Sequence, residues 1–166
     1  MTTMEKTGVT VQVHRVFIKA TPEAIWDAIT SREWTARYGY GAPVEYELRP
    51  GGGYRVHATE AMVAHGAPEV MIEGEVIEAD PPRKLVQTWH ALFDAETAAE
   101  EATRLTWEID EAGDGLTRLT VTHDVTGAPR SATIVAGDLA QEAGGGWPYI
   151  LSDLKTLLET GTTLAG

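Results

Sequence analysis

The spacing of apolar residues changes from strand-like to helical late in the chain, and this change constrains the fold more than any other feature. Between Val44 and Val125 several short segments carry apolar side chains at every second position, which is typical of half-buried strands. After Gly144-Gly145-Gly146 the apolar residues recur at helical spacing, at Trp147, Ile150, Leu151, Leu154, Leu157 and Leu158. A continuous run of strands followed by one amphipathic helix predicts an α+β fold.

One strand and two short helices are predicted ahead of this run. The strand covers Val9 to Ala20, and its apolar positions shift from odd to even numbers, which predicts a β-bulge near His14-Arg15. Thr21-Pro22-Glu23 carries the residue types that open a helix, a capping threonine and a first-turn proline. Ser31 is expected to cap a second short helix that ends near Tyr38.

The central run predicts six further strands, so the sheet has six to seven strands and forms one antiparallel meander. The connections Met62–Pro68 and Asp94–Ala102 are predicted to be loops, and Ala132–Ala143 a separate helical turn or two. A sheet of this size curls, and one helix cannot cover its concave face, so an apolar cavity is expected between them. The six strands are Val44–Leu48, Tyr54–Ala58, Val70–Val76, Leu85–His90, Leu105–Ile109 and Leu119–Val125.

Composition narrows the class of protein further. At 166 residues, with 43% hydrophobic and 23% charged residues, one domain over residues 9–161 is expected, with flexible ends at 1–8 and 162–166. The net charge of −12 would repel phosphate backbones, so nucleic acid is not an expected partner. The chain has no cysteine, no signal segment and no apolar run long enough to span a membrane, which together predict a cytoplasmic protein.

Nine residues are the candidates for binding a ligand in the expected cavity. Most are aromatic, because aromatic side chains offer large apolar area, although each could equally be plain core packing. Strand parity does not say which face of the sheet Trp89, Trp107 and His123 occupy. His123 is either a satisfied core histidine or a polar anchor for a ligand. The candidates are Trp34, Tyr38, Tyr54, Trp89, Trp107, His123, Trp147, Ile150 and Leu154.

Other site chemistries find little support in the sequence. None of the five histidines has the close spacing of metal ligands, so no metal site is predicted. The glycine-rich segment Gly51–Gly53 lacks the lysine and hydroxyl residue of a phosphate-binding loop. No catalytic residue and no cofactor are predicted.

Five segments in sequence order resemble the START-like, helix-grip superfamily (SRPBCC). Within it they are most similar to the branch named after the activator of heat-shock protein 90 ATPase, the AHSA-type domains. The resemblance covers Val9 to Gly161 and implies a curled sheet wrapped on the C-terminal helix around a hydrophobic cavity. Pro148 departs from the family pattern and implies that this helix begins late. The segments are Arg15–Thr30, Arg49–Tyr54, Gly74–Trp89, Gly115–His123 and Gly146–Lys155.

Three functions are compatible with this prediction. The first is a binding protein for a hydrophobic small molecule, such as a lipid, an isoprenoid or a polyketide-like ring. The second is a protein-interaction, co-chaperone-like or regulatory module whose acidic surface meets a basic partner. The third is a cyclase-, aromatase- or hydrolase-like enzyme that uses His123, Tyr54 or a buried carboxylate as acid or base in the same cavity.

Overall fold

One antiparallel sheet organises the protein, seen here in a computed structural model that describes residues 10–137 and 145–165. Within those residues the sheet has seven strands in the order β1-β7-β6-β5-β4-β3-β2, so β1 and β2 form its edges. The predicted antiparallel meander is confirmed, since β3 to β7 pair successively along the chain. The strands are β1 (Val11–Ile18), β2 (Val44–Tyr46), β3 (Gly53–His57), β4 (Val70–Asp80), β5 (Lys84–Ala91), β6 (Thr103–Gly113) and β7 (Leu116–Asp124).

Six helices accompany the sheet in the described residues, and the last of them is the longest. Its buried face joins the same hydrophobic core as the concave face of the sheet. This is the predicted α+β helix-grip architecture. None of the described helices combines the length and the apolarity needed to cross a bilayer. The helices are α1 (Pro22–Thr30), α2 (Arg32–Thr35), α3 (Glu60–Ala64), α4 (Ala95–Ala98), α5 (Pro129–Ala136) and α6 (Gly146–Thr160).

The bulge predicted in β1 is wrong. The strand pairs with β7 without interruption from Val11 opposite Asp124 to Ile18 opposite Thr117. Its even-numbered residues face the core, while Val11, Val13 and Phe17 lie on the outer face, about half exposed. The apparent shift in parity arises because both faces of this edge strand carry apolar residues. We call Val11, Val13 and Phe17 the outer-face row.

Two segments predicted as loops contain short helices. Thr59 caps α3 by accepting a hydrogen bond from the Met62 backbone N–H, so the segment from Met62 onwards begins as helix. Asp94 and Thr97 cap α4 reciprocally, each side chain accepting from the other residue's backbone N–H. Both helices have fewer than six residues, too short for a sequence periodicity to reveal.

Parts of some predictions lie outside the described residues. These are residues 1–9, with the expected flexible N-terminus and the first residue of the predicted first strand, residues 138–144, with the second half of the predicted turns after Ala132, and residue 166, the last of the expected flexible C-terminus. The first half of those turns is α5. Near the C-terminus, the Leu164 backbone N–H donates to Asp153 Oδ1 at 2.7 Å, which holds this part of the chain against α6.

Pro148 implied that the last helix begins late. This prediction is wrong, because α6 begins at Gly146. Pro148 is its third residue, where the missing N–H would have had no partner within the helix anyway. Gly146 has φ of +57°, and a Cβ there would lie 2.4 Å from the Val135 carbonyl oxygen and 2.5 Å from the Gly137 nitrogen. The start of α6 therefore packs directly on the backbone of α5, an approach that only glycine permits.

We expect Gly146→Ala to lower the free energy of unfolding by about 3 kcal/mol or more, because it adds backbone strain to a clash with main-chain atoms. Gly161→Ala is the matched control: Gly161 ends the same helix with φ of +85°, but a Cβ there meets nothing within 4 Å. Its cost should stay at about 1 to 2 kcal/mol. Urea unfolding measures both, and equal costs would contradict the close approach of α5 and α6.

Candidate functional site

A cavity of about 450 Å³ lies between the concave face of the sheet and the first turns of α6, with α5 and the segment after α2 at its sides. Its floor contains an apolar ladder in register across three strands, where Val56 of β3 lies between Val44 of β2 and Ile72 of β4. Both the volume and the mostly apolar wall are typical of small-molecule sites. The cavity expected from the sequence is therefore present in the fold.

Six of the nine candidate residues line this cavity. They come from the segment after α2, from β3, β5 and β6, and from α6, so elements far apart in the sequence converge here. The Trp107 and Trp147 rings pack edge to face with centroids 5.3 Å apart. The six are Tyr38, Tyr54, Trp89, Trp107, Trp147 and Ile150.

The other three candidates lie outside the lining. Trp34 is half-buried on α2, where the Arg37 guanidinium carbon lies 4.7 Å from the ring centroid. Leu154 is fully buried in the core beneath α6. His123 is also fully buried, behind the rings of Trp89 and Trp147, with centroids 4.8 and 6.0 Å away.

His123 is part of a directional chain of hydrogen bonds. The Trp147 indole N–H can only donate, and it lies 3.1 Å from His123 Nδ1, so that nitrogen is the acceptor. His123 Nε2 then carries the hydrogen and donates to Thr103 Oγ1 at 2.8 Å, and the threonine hydroxyl donates to the Trp89 carbonyl oxygen at 2.7 Å. Both ring nitrogens are engaged, and the chain fixes the orientation of Trp147 in the cavity wall.

The surroundings of His123 keep it neutral. Burial, with a smaller contribution from the charge of His14, lowers its pKa from 6.5 to about 3. A neutral imidazole is what the hydrogen-bond chain requires, since a protonated ring could not accept from Trp147. His123 is thus the satisfied core histidine of the two alternatives, and it acts on the cavity through Trp147.

Three tyrosines carry hydroxyl groups in the cavity wall, and one of them contacts the buried Gln87, which lies outside the lining. The Tyr46 and Tyr54 rings lie 4.7 Å apart between centroids, and the Tyr46 hydroxyl donates to Gln87 Oε1 at 2.5 Å. The Tyr38 hydroxyl donates to the Ala28 carbonyl oxygen at 2.8 Å. Burial raises the pKa of Tyr38, Tyr46 and Tyr54, so this region disfavours negative charge.

One buried donor beside these tyrosines, Trp107 Nε1–H, has no hydrogen-bond partner of ordinary geometry among the described residues. The Trp107 indole nevertheless lies close enough to the Tyr46 hydroxyl oxygen to oppose the rise in the pKa of Tyr46. Gln87 and Trp89 direct their donors toward the Tyr54 oxygen and oppose the rise in the pKa of Tyr54.

A buried carboxylate holds one wall of the cavity in place. Asp153 of α6 is 2% exposed, and its Oδ2 accepts from the Gly39 backbone N–H at 2.8 Å. Gly39 has φ of +63° and lies between two lining residues, Tyr38 and Tyr40. The same carboxylate also accepts from Leu164, so one side chain joins α6, the cavity wall and the end of the chain.

Charged side chains are found at the α5 side of the cavity. Arg130 and Asp94 both line it and pair with each other, Nη2 to Oδ2, at 3.2 Å, and Arg130 Nε lies 3.5 Å from Glu96 Oε1. Glu100 accepts from the backbone N–H groups of Arg130 and Ser131, which satisfies the first turn of α5. Within the described residues, no three His, Asp or Glu side chains converge as a metal site would require.

Several lining residues were not predicted from the sequence. Tyr46 and Ile72 carried a usable signal, because each alternates with outward-facing glutamates on its strand. Met62 and Ile134 carried none, since α3 was predicted as a loop and α5 could not be placed against the sheet. Arg130 lines the cavity only through the position of α5.

Comparison with known proteins gives a family and a fold. Residues 19–159 match the family model described as Activator of Hsp90 ATPase homolog 1-like protein. No curated protein matches the chain. Among solved structures it is similar to CalU16 from Micromonospora echinospora, with 19% identity and a TM-score of 0.63 over 94% of this chain and 69% of that one.

Two further solved structures are similar. PFC0360w, an HSP90 activator from Plasmodium falciparum, has 20% identity and a TM-score of 0.55 over 94% of this chain and 91% of its own. DynU16, a protein in the dynemicin biosynthetic locus, has 22% identity and a TM-score of 0.66 over 93% of this chain and 49% of its own. At these identities the likeness shows the fold alone.

Proposed function

The chain belongs to the family of Activator of Hsp90 ATPase homolog 1-like proteins, and from that premise we propose that it binds one hydrophobic small molecule in the cavity between the sheet and α6. The observation that carries this proposal is the cavity itself, about 450 Å³ with a mostly apolar wall. Protein interiors normally pack to the density of organic crystals, so a space of this size costs contacts that a bound ligand would restore.

The wall favours a flat or ring-containing ligand. Aromatic rings offer faces and edges for stacking, and Trp89, Trp107 and Trp147 present such surfaces to the cavity. Among lipid-, isoprenoid- and polyketide-like molecules, those that contain rings fit this wall best. The placement of the similar DynU16 in a biosynthetic locus for dynemicin is consistent with the last of them.

The test is titration of the purified protein with N-phenyl-1-naphthylamine, a neutral probe that fluoresces strongly in apolar surroundings. We expect saturable binding of one probe per chain with a dissociation constant in the micromolar range, because burial of the probe's rings supplies most of the free energy. Fluorescence that rises linearly without saturation, or a stoichiometry well above one, would contradict a single defined site.

Protein interaction is the second candidate function, and the outer-face row favours it. Val11, Val13 and Phe17 form an exposed apolar row on an edge strand, with exposed fractions of 50%, 53% and 47%. Such rows are typical of surfaces that meet a partner. The catalytic alternative gains no similar support from His123, whose two nitrogens are both engaged.

A further inference from the structure

One chain of hydrogen bonds joins two tryptophans of the cavity wall, Trp147 and Trp89. The Trp147 indole N–H donates to His123 Nδ1 at 3.1 Å, and His123 Nε2 donates to Thr103 Oγ1 at 2.8 Å. The Thr103 hydroxyl then donates to the Trp89 carbonyl oxygen at 2.7 Å. The ring of one lining residue is therefore tied, through two buried side chains, to the backbone of another.

His123 lies at the centre of this chain but outside the cavity lining. Its exposed fraction is 0%. The rings of Trp89 and Trp147 pack against it edge to face, with centroids 4.8 and 6.0 Å away and angles between planes of 80° and 68°. Any effect of His123 on a bound molecule must therefore pass through these two rings.

The bond to His123 restricts the rotation of the Trp147 ring. An indole N–H can only donate, so another rotamer of Trp147 would leave this donor and the imidazole nitrogen unpaired in the core. In the observed rotamer the Trp147 ring also packs edge to face on Trp107, with centroids 5.3 Å apart. This part of the wall therefore has a fixed shape before a ligand arrives.

A wall of fixed shape distinguishes rigid ligands from flexible ones. A rigid ring system cannot adapt, so it binds tightly only where the surrounding rings already stand in matching positions. A flexible apolar chain adjusts its own torsions to whatever shape it meets, and it loses conformational entropy in either case. Loosening one ring of the wall should therefore cost a rigid ligand more than a flexible one.

We propose that His123 is a positioning residue of the ligand site, which makes the cavity selective for rigid ring systems over flexible apolar chains by holding Trp147 in place from behind the wall. This inference rests on the proposed function and narrows its class of ligand. It also assigns a part in ligand selection to a residue that cannot touch the ligand.

His123→Asn and His123→Leu form the central comparison. Asparagine carries its side-chain oxygen where histidine has Nδ1, so Trp147 keeps an acceptor, whereas leucine is closer to histidine in volume but accepts no hydrogen bond. We expect the affinity for N-phenyl-1-naphthylamine to fall roughly fivefold to tenfold in His123→Leu and at most about twofold in His123→Asn. The affinity would then follow the acceptor and not the filled volume.

A flexible competitor measures the selectivity. 1-Decanol is a neutral chain without rings, and its dissociation constant is obtained from displacement of bound N-phenyl-1-naphthylamine. We expect this constant to change less than about twofold in either variant, because the chain adapts to a loosened wall. The preference for the ring compound should therefore fall roughly fivefold in His123→Leu alone.

A double-mutant cycle shows whether His123 acts through Trp147. Trp147→Phe keeps an aromatic ring but removes the N–H, so adding His123→Leu to it should not lower the probe affinity further. The NMR signal of the Trp147 indole N–H, identified by its loss in Trp147→Phe, gives a direct readout. It should move upfield in His123→Leu and stay close to its original position in His123→Asn.

Leu119→Val is the control for loss of stability alone. Leu119 is fully buried on the same face of β7 as His123 and lies outside the lining, and its apolar side chain makes no hydrogen bond. Its substitution should destabilise the fold but leave both dissociation constants unchanged. Circular dichroism and urea unfolding establish that each variant is folded under the conditions of the titration.

Thr103 provides a second route if His123→Leu does not fold. Thr103→Val removes the hydroxyl that holds His123 Nε2, and we expect it to weaken probe binding about twofold to threefold. Thr103→Ser keeps the hydroxyl and should restore the affinity. Equal affinities in these two variants would contradict the role of the chain.

The outcomes separate this inference from the proposed function. Equal losses of probe affinity in His123→Asn and His123→Leu, additive effects in the cycle with Trp147→Phe, or a parallel loss of decanol affinity would overturn the inference and leave the binding function standing. Absence of decanol binding to every variant would also overturn the proposed selectivity. If N-phenyl-1-naphthylamine does not bind the unmodified protein, the proposed function fails and the inference with it.

Discussion

Val56→Trp is expected to weaken binding of N-phenyl-1-naphthylamine roughly 30- to 150-fold. Val56 is the middle residue of the apolar ladder on the cavity floor, so a larger side chain there projects into the space that the probe would occupy. If about 100 Å² of apolar contact is lost, the cost at 25 cal/mol per Å² is about 2 to 3 kcal/mol, which corresponds to that range. Fluorescence titration measures it.

The neighbouring residue provides a matched control for this prediction. Arg55 lies on the same strand but faces outward and is exposed, so Arg55→Trp adds the same ring to the opposite face of β3. Its probe affinity should equal that of the unmodified protein. Tryptophan suits a strand in either place, so we expect both variants to fold. Equal affinities in the two variants would mean that the probe binds elsewhere, for example on the outer-face row.

The second large effect is a loss of stability in acid that depends on His123. Burial lowers the pKa of His123 from 6.5 to about 3 in the folded protein, so between these values the unfolded chain binds a proton that the folded chain does not. The free energy of unfolding is therefore highest above pH 6.5. It falls by about 1.4 kcal/mol for each pH unit below that value, until the pH reaches about 3. Between pH 6.5 and about 4.5 His123 alone should remove about 2 to 3 kcal/mol.

His123→Gln isolates this contribution from that of the carboxylates. Burial and hydrogen bonds act on the acidic groups in both proteins, so the difference between the two slopes of unfolding free energy against pH belongs to His123. The variant will be less stable at neutral pH, because Trp147 and Thr103 lose well-placed partners, but its slope should be shallower. Urea unfolding at several pH values decides the matter, and parallel slopes would show that His123 is not held neutral.

Much of the fold follows from the sequence because strand alternation and helical spacing are local properties. The error in β1 has a clear physical cause: Val11 and Val13 face outward at an edge, where apolar residues on the wrong parity imitate a bulge. The helices α3 and α4 were missed because their capping residues, Thr59 and Asp94, do more to form them than any periodicity does.

The candidate site was less predictable, because the alternation of residues along a strand predicts which face of the sheet a side chain lies on but not how deeply it is buried. Trp107 and His123 both face the concave side, yet one lines the cavity and the other lies behind its wall. The contribution of Arg130 depends on how α5 packs, which no local pattern encodes. The unpaired indole N–H of Trp107 becomes visible only when every neighbour is in place.

The Asp153 carboxylate links the segment around Leu164 to the wall of the cavity. Because it accepts from both Gly39 and Leu164, any tag, fusion or truncation that displaces residues near Leu164 should also displace the loop that lines the cavity. Affinity measured on a C-terminally extended version would then report the extension as well as the pocket. Handles for purification or immobilisation are therefore better attached at an exposed turn such as Gly115.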